Sequence, residues 1–305
     1  MVTSGGHRAI LARMPTGPGE GEGARDHVRR RPEQLLLAFL GELVLDRVAG
    51  PVPSVLLVAV LAELGVGEPA TRAALARMSR RGLLEPVRSG RTVAYRLTPE
   101  SERVLREAHG RVFAADPFAP LGAGWTLVTF SVPERQRDLR HRVRAQLAWA
   151  GFGLLRDGLW IAPGEVDVAE VLGGLVAEVD GLDLAAFRAL EVPGFSVARS
   201  VRTAWRLDEI RDRHRAFQER WSGPRAAPDA PGAGAAGSGA VRDLVALVAD
   251  WLALLRAVPR LPAEHLAQDW PADASVRLFR ALHGALADAA RAELADRLGG
   301  RTTPA

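Results

Sequence analysis

The sequence contains no cysteine and no lysine. Without cysteine, neither disulfides nor thiolate metal sites are possible, and a cytoplasmic location fits that absence. Without lysine, all 40 basic residues are arginine, a bias for which GC-rich coding is the plainest source. No apolar run reaches the roughly 18 residues of a membrane span, so no membrane partner is expected. The opening "MVTSGGHRAILARMPTGPGEGEG" lacks the apolar core of a secretion signal. Residues 1–31 are predicted to be a disordered tail. The seven histidines show no paired ligand spacing, and neither a Gly-rich phosphate loop nor a nucleophile elbow occurs. No catalytic residue, metal ligand or cofactor is assigned.

What remains is an ordinary globular composition, 48% hydrophobic and 25% charged over 305 residues, with room for two or three domains. The net charge is only +4, but it is unevenly placed. Residues 68–96 hold seven arginines against Glu68 and Glu85, a net of +5. Residues 135–156 hold six against Asp138, again +5. Local basic concentrations of this kind attract polyanions.

Hydrophobic spacing predicts helices over 32–47, 52–66 and 68–81. In the third, Gly67 can cap, Glu68 suits the positive first turn and Pro69 is tolerated there. Ala74, Leu75 and Met78 are expected inside, and Thr71, Arg72, Arg77 and Arg80 outside. A hairpin follows: Leu84 to Val87, the turn "RSGR" at 88–91, then Thr92 to Leu97 with period-2 alternation. With the helix "PESERVLREAHGRVF" this makes a winged helix-turn-helix over 32–112. After a linker at 113–124, residues 125–193 read as βαββαβ, the order of a ferredoxin-like domain. Residues 194–305 are helical, with one long helix predicted over 203–221. In the stretch 223–240, 15 of 18 residues are Gly, Ala or Pro, which predicts a flexible tether. The fold class is therefore α+β multidomain.

Five stretches carry a resemblance: "LLLAFLGE", "TRAALARMSRRGLLEPVRSGRTVAYRLT", "WTLVTFSVPERQRDLRHRVRAQLAWAGFGLLRDGLWIAP", "AWRLDEIRDRHRAF" and "LPAEHLAQDWP". In that order the chain resembles the PaaX-like family of bacterial transcriptional regulators, named for repressors of phenylacetic acid degradation, from about residue 33 to residue 297. The resemblance implies a winged helix, a central Cas2-like domain and a helical C-terminal domain. It also implies a dimer on a double-stranded DNA operator, with phenylacetyl-CoA the best-known releasing effector. Two departures stand out. The tether occupies a region that is usually helical. Before "LPAEHL" this chain has "RAVPR", where members tend to carry an Arg-Phe pair and an Asp-Pro.

Candidate DNA-binding residues are Thr71, Arg72, Arg77, Arg80 and Arg81 on the third helix and Arg88, Ser89, Gly90 and Arg91 in the wing. Arg72, near the helix start, could bond a guanine edge, while Arg77, Arg80 and Arg81 suit phosphates. An acyl-CoA needs cations for its phosphates and an apolar surface for its acyl end. Arg140, Arg144, Arg202 and Arg206 are candidates for the first, Trp205 and Trp270 for the second. The usual reading of each tryptophan is core or domain interface. Two rival functions remain: a metal-dependent nuclease through the central domain, and a DNA-binding protein answering to a partner protein or to no ligand. The nuclease would need an Asp at the end of the first central strand, where this chain has Ser131, and serine supplies no carboxylate.

Overall fold

The computed structural model describes residues 30–299, apart from 91, 134–135, 179–181, 196 and 224–238. The expected tail up to residue 29 and the tether from 224 to 238 lie outside the described residues. Those described form helices and two antiparallel sheets, of three and four strands. They divide into two compact units. One holds residues up to 114 together with 215–254 and 273 onward; the other holds 115–214 and 255–272.

The first unit opens with α1 (Pro32–Phe39), which runs on into a π-helical turn at Leu40–Val44. Pro32 stands at the helix start, where its missing N–H costs nothing. Leu35, Leu36, Phe39, Leu40 and Leu43 are buried along this segment. The second helix starts later than its spacing predicts. Val52 and Pro53 form a short strand, β1, antiparallel to Tyr95 and Ala94, and α2 spans Ser54–Glu63. Pro53 is extended (φ −60, ψ 136), so the helix begins after it. In α3 (Glu68–Arg80), Ala74, Leu75 and Met78 are buried as expected.

The hairpin pairs β2 (Leu84–Ser89) with β3 (Thr92–Leu97), in register from Leu84↔Leu97 to Ser89↔Thr92. Pairing thus extends to Ser89 and Thr92, so the turn is shorter than the four residues expected. Gly90 has φ +58, the left-handed backbone that a two-residue hairpin turn requires. Strand order β1-β3-β2 leaves β2 at an edge, where Pro86 is tolerated. α4 (Pro99–Val112) is capped by the Thr98 hydroxyl, which accepts from the Ser101 N–H at 3.2 Å.

The second unit is built on β4 (Trp125–Ser131), α5 (Arg137–Trp149), β5 (Gly153–Arg156), β6 (Leu159–Pro163), α6 (Val168–Glu178) and β7 (Asp183–Ala189). The strands lie in the order β5-β6-β4-β7, all antiparallel. Leu139, Val143 and Leu147, four apart on α5, pack with Leu172 and Leu175 of α6 onto Val128, Trp160 and Ala162 of the sheet.

The helix predicted over 203–221 is two helices, α7 (Ala198–Ala204) and α8 (Leu207–Ser222). Between them Trp205 is extended (φ −126, ψ 139) and buried. Its ring stacks on Trp125 with centroids 6.3 Å apart, and its Nε1–H donates to the Gly151 carbonyl at 3.3 Å. That tertiary anchorage overrides a helical pattern that is continuous in sequence. α9 (Ala240–Ala257) and α10 (Ala272–Arg297) complete the described chain. In the first unit Trp251 of α9 stacks on Phe279 of α10, centroids 4.5 Å apart and planes within 7°.

Candidate functional site

On α3 the candidate residues separate by what they touch. Thr71 is fully buried and its hydroxyl donates to the Gly67 carbonyl at 3.3 Å, which corrects the outward placement expected for it. The reason is legible in its spacing: 71, 74, 75 and 78 form one i, i+3, i+4, i+7 stripe, the one that faces the core. Arg77 and Arg81 meet across a carboxylate. The Arg77 Nε donates to Glu33 Oε1 at 2.7 Å and the Arg81 Nη1 to Glu33 Oε2 at 3.0 Å. Glu33 is buried on α1, so these arginines fasten α3 to α1. Arg72 is exposed and pairs with Glu68, one turn back, at 2.7 Å. Such an exposed pair is worth about 0.3–0.5 kcal/mol and yields readily to a better anion. Arg80 on α3 and Arg88 on β2 are exposed as well. Ser89 belongs to β2 rather than to the turn. Gly90 is exposed in the turn, and Arg91 lies outside the described residues.

The second unit contains a cavity of about 650 Å³. Arg202 of α7, Arg206 just ahead of α8, Arg211 of α8, and His265 and Trp270 beyond α9 line it, with acidic Asp208, Glu209 and Glu264 at the same wall. Three of the expected effector residues, Arg202, Arg206 and Trp270, therefore converge. Arg206 pairs with Glu209 at 2.7 Å. The other three do not line the cavity. Trp205 is held against Trp125, Arg140 donates to the Val132 carbonyl at 2.9 Å, and Arg144 stands exposed on α5. Sequence reasoning missed Arg211 and His265. The Arg211 guanidinium lies 5.3 Å from the Trp270 ring centroid and pairs with Asp269 at 2.8 Å. His265 is buried with its Nε2 2.8 Å from Glu191. Burial opposes ionisation of Glu191. Donation from the Val197 N–H and the Trp125 indole, with the nearby His265, outweighs it and holds the carboxyl below its usual range.

Three family models match in chain order: "PaaX-like protein" over residues 31–101, "PaaX protein central Cas2-like domain" over 119–185 and "PaaX-like protein C-terminal domain" over 205–296. The chain belongs to the PaaX-like family. The transcriptional repressor PaaX of Escherichia coli (strain K12) is 34% identical to it over 109 residues, 36% of this chain. That match spans about a third, 34%, of the repressor's own length. An uncharacterized protein from Mycobacterium tuberculosis matches in structure with a TM-score of 0.52 and 22% identity, over 87% of this chain and 98% of that one. At that identity the likeness speaks for the fold alone.

The first PaaX-like match takes in α1 to α3 and the hairpin. The Cas2-like match takes in the four-stranded sheet up to Ala185. The C-terminal match includes most of the cavity wall, with Arg202 just ahead of it. At the end of β4 in the Cas2-like domain Ser131 is exposed, in register with Asp183 of β7. Among the described residues no three of His, Asp and Glu gather as a metal-binding group. No helix of the described residues is long and apolar enough to cross a membrane.

Proposed function

We propose that this PaaX-like protein is a transcriptional repressor that binds double-stranded DNA as a homodimer through a winged helix at 32–112. We further propose that it is released by an aromatic acyl-CoA, with phenylacetyl-CoA the first to test. The observation that carries the reading is the exposure of Arg72, Arg80 and Arg88 on a helix and the hairpin that follows it, in a chain of this family. In a winged helix the third helix enters the major groove and the wing lies along the backbone. Arg72, one turn into α3, would leave Glu68 for a guanine edge. Arg80 and Arg88 would take phosphates, and Arg77 and Arg81 would hold the helix at its angle. The 650 Å³ cavity supports the effector part. Arg202 and Arg206 suit phosphate groups, and Trp270 offers a flat apolar wall. Ligand must favour a dimer geometry that no longer fits the operator, because equal affinity for both geometries would shift nothing. Ser131 in place of an aspartate favours a regulator over a nuclease.

Selection of bound duplexes from a random pool tests the reading directly. Titration of the selected complex with phenylacetyl-CoA, free CoA and phenylacetate then tests release. Failure to enrich any sequence would overturn DNA recognition. No release at saturating thioester, or equal release by free CoA, would remove this effector and leave the regulator.

A further inference from the structure

Arginine is abundant throughout this chain, and many of the described arginines stand against a carboxylate. Arg72, Arg103, Arg106, Arg206 and Arg211 each have a carboxylate oxygen within 2.8 Å. Arg77 and Arg81 share Glu33. In the basic segment that looked strongest in sequence, Arg72, Arg77 and Arg81 are thereby compensated, while Arg80 and Arg88 stay exposed.

The helix α5 differs. Its buried stripe is Leu139, Val143 and Leu147. On the opposite side Arg137, His141 and Arg144, at i, i+4 and i+7, share an exposed stripe. Neither Arg137 nor Arg144 has a carboxylate partner among the described residues. Asp138 is the single acidic residue of the helix. Arg140, on the flank, donates to the Val132 carbonyl. None of these cations lines the 650 Å³ space.

From this we propose that the exposed stripe of α5 is a second DNA-contacting surface, taking the phosphate backbone of duplex flanking the operator. The inference rests on the DNA-binding reading above. Its occupant is chosen by charge and shape. Arg137 to Arg144 spans roughly 10 Å at ~1.5 Å per residue. A duplex carries a charge every ~1.7 Å of axis, so an extended line of cations meets several at once. A compact anion would be better served by converging donors. Because the stripe carries no donor–acceptor pattern aimed at base edges, it should add affinity without sequence preference. Covalent attachment to the DNA-reading segment makes the contact intramolecular once the operator is bound, so even a weak contact counts.

The test uses the full chain, selected operator duplexes with flanks of increasing length, and the double variant Arg137→Gln with Arg144→Gln. Glutamine is a good helix former and both positions are exposed, so thermal unfolding should match wild type. For wild type, affinity should rise as the flank is extended, up to a limit. The double variant should lose that rise, keep its sequence preference, and show a log affinity against log salt slope shallower by about 1.8, two phosphate contacts' worth. An unchanged slope with unchanged length dependence would overturn the inference. So would variants that weaken binding of free CoA while leaving the DNA slope alone, since the stripe would then be a small-phosphate site. Wild type that binds no duplex at all brings down the DNA-binding reading, and this inference with it. Operator binding that ignores flank length and both substitutions sinks the inference only.

Discussion

Glu33 illustrates how one side chain can decide what its neighbours are for. It is buried, and it receives both Arg77 and Arg81. Removing its charge would leave the half-buried Arg81 without its carboxylate. Glu33→Gln is expected to cost about 2 kcal/mol of stability, read in a urea or thermal melt. Arg72→Ala should behave in the opposite way. Its pair with Glu68 is exposed, so stability should move by less than about 0.5 kcal/mol. Binding to the selected operator should weaken by about 1–3 kcal/mol, with preference relaxed at one base pair. A pair of variants that moved together in both assays would break this division of roles. His214 is a second informative residue. Burial against Phe118 and Trp270 pushes its imidazole down from 6.5 to about 4. Below pH 6.5 the unfolded chain takes up a proton that the folded chain refuses, so stability should fall as pH drops from 6.5 to 4. The loss should approach about 3 kcal/mol at the low end. His214→Gln should show a flatter melting temperature over that window; an identical pH profile would argue that another group is responsible.

At the scale of elements, the joints matter more than the helices. The approach of β6 to α6 passes Gly164, whose φ is +66 and whose N–H donates to the Gly124 carbonyl at 2.7 Å. A Cβ there would stand 2.1 Å from the Leu121 carbonyl oxygen. Gly164→Ala must therefore move backbone as well as adopt a strained conformation. A loss of about 3 kcal/mol or more is expected. Gly173→Ala, inside α6 with open space around its Cβ, is the matched control and should not destabilise. Equal melts for the two variants would refute the close-approach explanation. The break between α7 and α8 is of the same kind. The run from 203 to 221 has helical spacing throughout, yet Trp205 leaves the helix to stack on Trp125. No local preference announces this, because the partner ring is 80 residues away in sequence.

For the molecule as a whole, the proposed dimer makes a geometric prediction. Two recognition helices would meet successive major grooves about 34–36 Å apart, or a multiple of that, so the selected site should be an inverted repeat. Light scattering should give twice the chain mass at micromolar concentration. A monomer together with an asymmetric site would contradict the proposal. If an acyl-CoA releases the operator, the coupling should be about 1–3 kcal/mol, a 5–150-fold loss of DNA affinity. Reciprocity then requires operator DNA to weaken acyl-CoA binding by the same factor, which calorimetry on the free and DNA-bound protein would check.

Much of this was open to a reader of the sequence alone. The βαββαβ order followed from alternation and spacing, because strand and helix periods are local properties of the chain. The burial of Ala74, Leu75 and Met78 followed in the same way, and Thr71 could have joined them had its spacing been weighed above its polarity. The family was legible because its motifs are contiguous stretches. Which arginines are free was not. Arg77, Arg81, Arg137 and Arg144 look alike in sequence. A buried carboxylate 44 and 48 residues away claims the first two and no described carboxylate claims the others. The cavity was equally hidden, since Arg202, Arg211 and Trp270 share it only after the chain folds. Periodicity reports what each residue does with its near neighbours, whereas charge compensation and concavity depend on distant residues that only packing brings together.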